Sequence, residues 1–109
     1  MKKALGEFEH QVLLSALRLD KGAYTAAIVL ELEERTAREV AAAAVYIALR
    51  RLEEYGLVKS DIRRTAEPGG RRERRYFTVT PAGIAQLSTT RQRLLRLWEG
   101  IEPLLKART

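Results

Sequence analysis

The hydrophobic period of this chain changes at Leu57 and changes back at Thr80, and that switch limits the folds open to it. Up to Gly56 the apolar residues recur at three- and four-residue intervals, the spacing of one face of a helix. Leu57-Val58-Lys59-Ser60-Asp61-Ile62 and Arg74-Arg75-Tyr76-Phe77-Thr78-Val79 read instead as two strands. Between them stands Glu67-Pro68-Gly69-Gly70, strong turn chemistry, so the pair forms a hairpin with a long loop. Thr80-Pro81 then restarts a helix, with Thr80 as N-cap and Pro81 at the first helical position. The order helix, helix, helix, hairpin, helix in 109 residues predicts a mainly α protein with a small β-hairpin, built as one compact unit.

The helical segments can be drawn more closely. Residues 7–20 carry Phe8, Val12, Leu13, Ala16 and Leu17 on one face, and Asp20-Lys21-Gly22 supplies the stop, with Gly22 suited to a left-handed turn. Residues 24–36 place Tyr24, Ile28 and Leu32 on one stripe. Arg38-Glu39-Val40 is short enough to pair as a stub of strand. Residues 42–55 bury Val45, Leu49 and Leu52, with Gly56 as the terminator. Ala41 is a weak cap for that helix, which the alanine run after it offsets through helix propensity. In the last helix Ile84, Leu87, Leu94, Trp98, Ile101 and Leu105 keep a heptad-like seam interrupted at Arg91, and Pro103 is expected to kink or end it near Gly100–Glu102.

Charge narrows the function. The formal net charge is +6, which favours anionic partners. Lys59 with Arg63, Arg64, Arg71, Arg72, Arg74 and Arg75, set against Asp61, Glu67 and Glu73, leaves four of those charges between residues 57 and 80. A basic hairpin of this kind can follow a phosphate backbone. The chain has no Cys and one His, no phosphate-binding glycine loop and no metal-ligand spacing, so neither an enzyme nor a cofactor is expected. His10 has no ligand set around it and reads as structural or exposed, and Glu31, Glu33 and Glu34 read as a solvated face. The charged start lacks the apolar run of a signal peptide and no stretch reaches membrane-spanning length, so a soluble cytoplasmic protein with no membrane partner is expected.

Two constellations carry the functional expectation. Residues 24–36 and 42–55 form a helix-turn-helix pair whose second helix would enter the major groove of double-stranded DNA. Its outward side offers Ala43, Ile47, Arg50 and Arg51, with Tyr46 beside the buried stripe, and the hairpin adds Lys59, Arg71, Arg72, Arg74 and Arg75 as a wing on the phosphates. The terminal helix carries more apolar surface than a small three-helix core needs. Ile84, Leu87, Leu94, Leu95, Trp98 and Ile101 are therefore the expected homodimer seam. Trp98 is either an anchor of that seam or, with its dimer mate, the wall of a pocket for flat apolar ligands.

Val45-Tyr46-Ile47-Ala48-Leu49-Arg50-Arg51-Leu52-Glu53-Glu54-Tyr55-Gly56-Leu57-Val58 resembles the recognition-helix signature of PadR-like transcriptional regulators. The run from Gly69 through Arg75-Tyr76-Phe77-Thr78-Val79-Thr80-Pro81-Ala82-Gly83 resembles the same family's wing, and Tyr24, Ile28 and Leu32 fit its second helix. The likeness covers roughly residues 5–87. It implies a winged helix-turn-helix over residues 1–80 and a C-terminal dimerisation helix over residues 81–109. It also implies a homodimeric repressor released by a signal, sometimes a small aromatic effector, and a backbone contact from Tyr46. One departure is Ala41–Ala44, where the family often carries a hydroxyl residue. A winged helix that binds an acidic protein, and a non-specific nucleic-acid binder, are the alternatives the residues leave open.

Overall fold

The chain starts with α1 (Glu7–Leu19), whose first turn is closed by Glu9 reaching back to accept from the Gly6 amide at 3.2 Å. In the computed structural model, which describes residues 4–64 and 73–108, α1 is followed by α2 (Thr25–Thr36) and α3 (Ala42–Glu54). Next come β1 (Val58–Arg64), β2 (Glu73–Val79), α4 (Pro81–Trp98) and α5 (Glu102–Arg108). The expected order of elements holds: a winged helix with an antiparallel hairpin. The Glu67-Pro68-Gly69-Gly70 turn lies outside the described residues.

The three helices bury the residues their periodicity selects. Val12, Leu13 and Ala16 of α1, Ile28 and Leu32 of α2, and Val45, Leu49 and Leu52 of α3 meet in one core, closed from the hairpin side by Val58 and Phe77. Burying each large side chain contributes about 1.5–3 kcal/mol. The end of α3 is a Schellman motif: Gly56 sits at φ +76°, its amide donates to the Glu53 carbonyl, and the Leu57 amide donates to the Leu52 carbonyl. That turn swings the chain directly into β1. At the far end of the hairpin Thr80 caps α4, its hydroxyl oxygen accepting from the Gly83 amide at 3.1 Å and its hydroxyl donating to the Gly56 carbonyl at 2.7 Å.

Some expectations need correction. Arg38-Glu39-Val40 forms no strand; the Val40 amide instead donates to the Glu33 carboxylate at 3.1 Å, which closes the turn between α2 and α3. The segment that pairs with the hairpin is Ala23-Tyr24, through a bridge between Tyr24 and Tyr76 and a 2.8 Å bond from the Phe77 amide to the Ala23 carbonyl. The positive φ at the end of α1 falls on Asp20, at 51°, not on Gly22. The acidic cluster is only partly a solvated face, because Glu31 is half-buried and bonds Arg35 at 2.8 Å, while Glu33 holds the Val40 amide. The last helix breaks at Glu99–Ile101 around Gly100 (φ +76°), and Pro103 then falls in the first turn of α5.

A compact chain of this length has a radius of gyration of about 13 Å; this one has 16.2 Å and extents of 57 × 34 × 20 Å. The excess comes from α4, which packs against α1 and β2 near its start and then runs on with every residue from Arg91 to Gly100 exposed.

Candidate nucleic-acid interface

α3 turns its buried stripe onto α1 and α2, which leaves Ala43, Tyr46, Ile47, Arg50, Arg51 and Glu54 facing out. Ile47 is 55% exposed and Tyr46 42%, so this face of the helix presents apolar surface beside its arginines. Ala41 gives the helix start no side-chain cap, and Ala41–Ala44 are all exposed, so the backbone there is covered by nothing larger than a methyl. Arg50 reaches along the helix to Glu53 at 3.2 Å, and Arg51 lies 3.9 Å from Glu9 of α1. Both guanidinium groups are about half or more exposed, where ion pairs contribute only about 0–1 kcal/mol, so a phosphate or a base edge can take either one.

The hairpin sorts its basic residues by strand alternation. The register pairs Ser60 with Phe77, Asp61 with Tyr76, Ile62 with Arg75 and Arg63 with Arg74. Arg75 therefore lies on the face that continues the core, and Arg74 and Arg63 lie on the other. Arg75 is half-buried and donates to the Ser60 hydroxyl at 2.9 Å, and Ser60 donates to the Glu53 carboxylate at 2.6 Å. On the opposite face Arg74 stacks 4.4 Å over the Tyr24 ring and Arg63 4.7 Å over Tyr76, while the two tyrosines meet edge-on at 5.5 Å. Arg63 also grips Asp61 at 3.0 Å. That hydrogen bond holds the Asp61 carboxyl below the usual carboxylate range and pushes the Arg63 guanidinium above its own, so the pair is charged at neutral pH. Lys59 and Arg64 are exposed. Arg71 and Arg72 lie outside the described residues.

The structure thus brings Ala43, Tyr46, Ile47, Arg50 and Arg51 together on one outward face, and joins that face to the hairpin. It separates Arg74 from Arg75, which the residue types alone grouped. Sequence reasoning missed Glu53 and Ser60, which link helix to hairpin, and Tyr24 with Tyr76, which seat the other face. Strand alternation between Arg74 and Arg75 was the signal available.

A second surface lies between α1 and α4. Leu14, Leu17, Ile84, Leu94, Leu95 and Trp98 line an apolar groove of about 640 Å³, with His10, Ser88 and Arg91 as its polar members. Of the expected seam, Ile84, Leu94, Leu95 and Trp98 are exposed and Ile101 half-buried, whereas Leu87 is 6% exposed and belongs to the core of the single chain. His10 is half-buried, its Nδ1 has no hydrogen-bond partner among the described residues, and burial pushes its pKa below 6.5. Among the described residues no cluster of His, Asp or Glu is arranged to hold a metal ion, and no helix is long and apolar enough to cross a membrane.

Residues 13–89 match the model of the transcriptional regulator PadR-like family. No curated protein matches the chain. Among solved structures, a PadR family transcriptional regulator from Eggerthella lenta is 27% identical, with a TM-score of 0.67 over 86% of this chain and 80% of that one. A PadR-like transcriptional regulator from Bacillus cereus has the same fold at 19% identity, with a TM-score of 0.74 over 90% of each chain. Bacillus subtilis PadR, solved in complex with operator DNA, matches with a TM-score of 0.61 and 18% identity, over 75% of this chain and 45% of that protein.

Proposed function

Because the chain belongs to the PadR-like family of transcriptional regulators, we propose that it binds a specific duplex DNA as a homodimer and represses transcription there. The observation that carries this reading is the outward face of α3, where Ala43, Tyr46, Ile47, Arg50 and Arg51 stand exposed beside a basic hairpin. In this reading α3 is the recognition helix. Ala43 and Ile47 contact base edges and thymine methyls, Arg50 reads a guanine edge or a phosphate, and Tyr46 and Arg51 hold the backbone. Lys59, Arg71, Arg72 and Arg74 belong to the wing that follows the phosphates. The fold shared with Bacillus subtilis PadR, solved with operator DNA, supports this use of the surface.

Residues 1–80 act as the DNA-binding head and residues 81–109 as the dimerisation arm. The support is the apolar face of α4: Ile84, Leu94, Leu95 and Trp98 are exposed on a single chain, and monomers rarely leave so contiguous a patch in water. A two-fold dimer sets its recognition helices about 34–36 Å apart, one turn of duplex. A small aromatic effector entering the α1–α4 groove beside Trp98 would change that spacing and release the DNA. Footprinting the DNA upstream of the encoding gene tests the reading. Two protected half-sites about one turn apart are expected; uniform protection points to a non-specific binder, and none at all to a protein-binding winged helix.

A further inference from the structure

A two-stranded ribbon is marginal by itself, so the angle at which the wing stands from α3 has to be held by side chains. The base of the wing is fixed by the buried Val58 and Phe77. Above that base, on the face turned toward α3, stand Ser60 and Arg75, half-buried on neighbouring strands. The two carboxylate oxygens of Glu53 are divided between the elements: Oε1 lies 3.2 Å from Arg50 Nη1 on the recognition helix, and Oε2 accepts from the Ser60 hydroxyl at 2.6 Å. The same hydroxyl accepts from Arg75 Nη1 at 2.9 Å. One serine hydroxyl thus uses its proton on α3 and a lone pair on β2. One glutamate ties the arginine that faces outward on α3 to both strands of the wing.

We propose that Glu53, Ser60 and Arg75 are positioning residues that set the angle between wing and recognition helix, and so govern which DNA sequence is read without touching DNA. The inference rests on the DNA-binding reading above. It takes Arg75, which its residue type assigned to the phosphates, out of the contact set. The two Ser60 bonds are charge-assisted and join half-buried residues, so water competes for them less than for the Arg51 and Arg35 ion pairs, whose guanidinium groups are more than half exposed. Helix and wing read separate stretches of a site, so a change in their angle moves the wing off its phosphates when α3 is seated. A sequence-blind complex, in which the helix is not seated, is indifferent to that angle.

The test measures binding of the full chain to the duplex upstream of its gene and to a shuffled duplex of equal length, at several salt concentrations. Ser60→Ala is expected to weaken binding to the upstream duplex about 3- to 10-fold, to leave the shuffled duplex within a factor of about two, and to leave the salt slope unchanged. Ser60→Thr, which keeps the hydroxyl, restores wild-type binding. Lys59→Ala, which removes a proposed phosphate contact from each protomer, weakens both duplexes and lowers the slope of the dimer by about 1.8. Ser60→Ala behaving like Lys59→Ala, or like wild type, overturns the proposal. Amide hydrogen exchange without DNA separates the two possible failures. Faster exchange in β1 and β2 for Ser60→Ala but not Ser60→Thr supports the brace, and equal exchange overturns it. A wild-type chain that does not prefer the upstream duplex refutes the DNA-binding reading, and with it the specificity role.

Discussion

Gly83→Ala is the substitution whose consequence the structure specifies most closely. Gly83 lies in the first turn of α4, where a Cβ would meet the Leu57 carbonyl oxygen at 2.2 Å and a Val79 methyl at 2.7 Å. The carbonyl oxygen belongs to the backbone between α3 and β1 and already accepts from the Thr80 amide at 2.9 Å, so it cannot turn aside. The start of α4 has to withdraw by more than 1 Å, which strains that bond and the Thr80 cap together. Overpacking costs about 1–3 kcal/mol and a disturbed cap about 1 kcal/mol. Alanine returns about 1 kcal/mol of helix propensity over glycine. The net is about 1–3 kcal/mol of lost stability, a fall of roughly 5–20 °C in Tm for a domain of this size. Circular dichroism melting at 222 nm reads the change directly. A variant with an equal or higher Tm would show that helix propensity wins and that the close approach does not constrain the fold. The same displacement tilts an arm of 18 residues, so affinity for upstream DNA is expected to fall further than stability alone explains.

Trp98→Ala is expected to weaken the proposed homodimer by about 2 kcal/mol or more per copy, about 4 kcal/mol for the two and roughly 10³-fold in dissociation constant, measured by sedimentation equilibrium; an unchanged constant would remove Trp98 from the interface. His10 supplies a pH dependence: its folded pKa lies below 6.5, so the folded state binds its proton less tightly than the unfolded chain does. Its contribution to stability is full above about pH 6.5 and declines as the pH falls through that value toward the lower folded pKa. Tm should therefore drop between about pH 7.5 and about pH 5 more in wild type than in His10→Gln, and equal drops would contradict it. Tyr24→Leu removes the edge-on contact with Tyr76 and the ring under Arg74. A loss of about 1–2 kcal/mol in urea unfolding is expected, and an unchanged midpoint would show that these rings do not brace the wing.

The helices and the hairpin were legible because each has a period of its own, and the stops at Gly56 and Thr80-Pro81 depend only on local backbone chemistry. The pairing partner of the hairpin was not legible. Arg38-Glu39-Val40 and Ala23-Tyr24 are both too short to show a strand period, and which one meets β2 is decided by how α1 and α2 pack. Asp20 takes the positive φ expected of Gly22, at 51°; aspartate tolerates positive φ better than most residues, so composition did not separate the two. The outward face of α3 could be read from Val45, Leu49 and Leu52 by subtraction. The wing could not be read as fully. Six arginines in one hairpin look equivalent until the register assigns Arg74 to the tyrosines and Arg75 to Ser60. Glu53 escaped notice because its partner Ser60 lies beyond the Gly56 turn, and only the Schellman geometry folds one back onto the other.

We propose that α3 and the basic wing together read duplex DNA. Fluorescence anisotropy on upstream DNA across a salt series tests it most directly. A clear preference over shuffled DNA is expected, with affinity that falls about 10³-fold or more between about 50 and about 200 mM salt, for six or more phosphate contacts per dimer. Weak binding that is equal on both duplexes, or affinity that barely changes with salt, would contradict it.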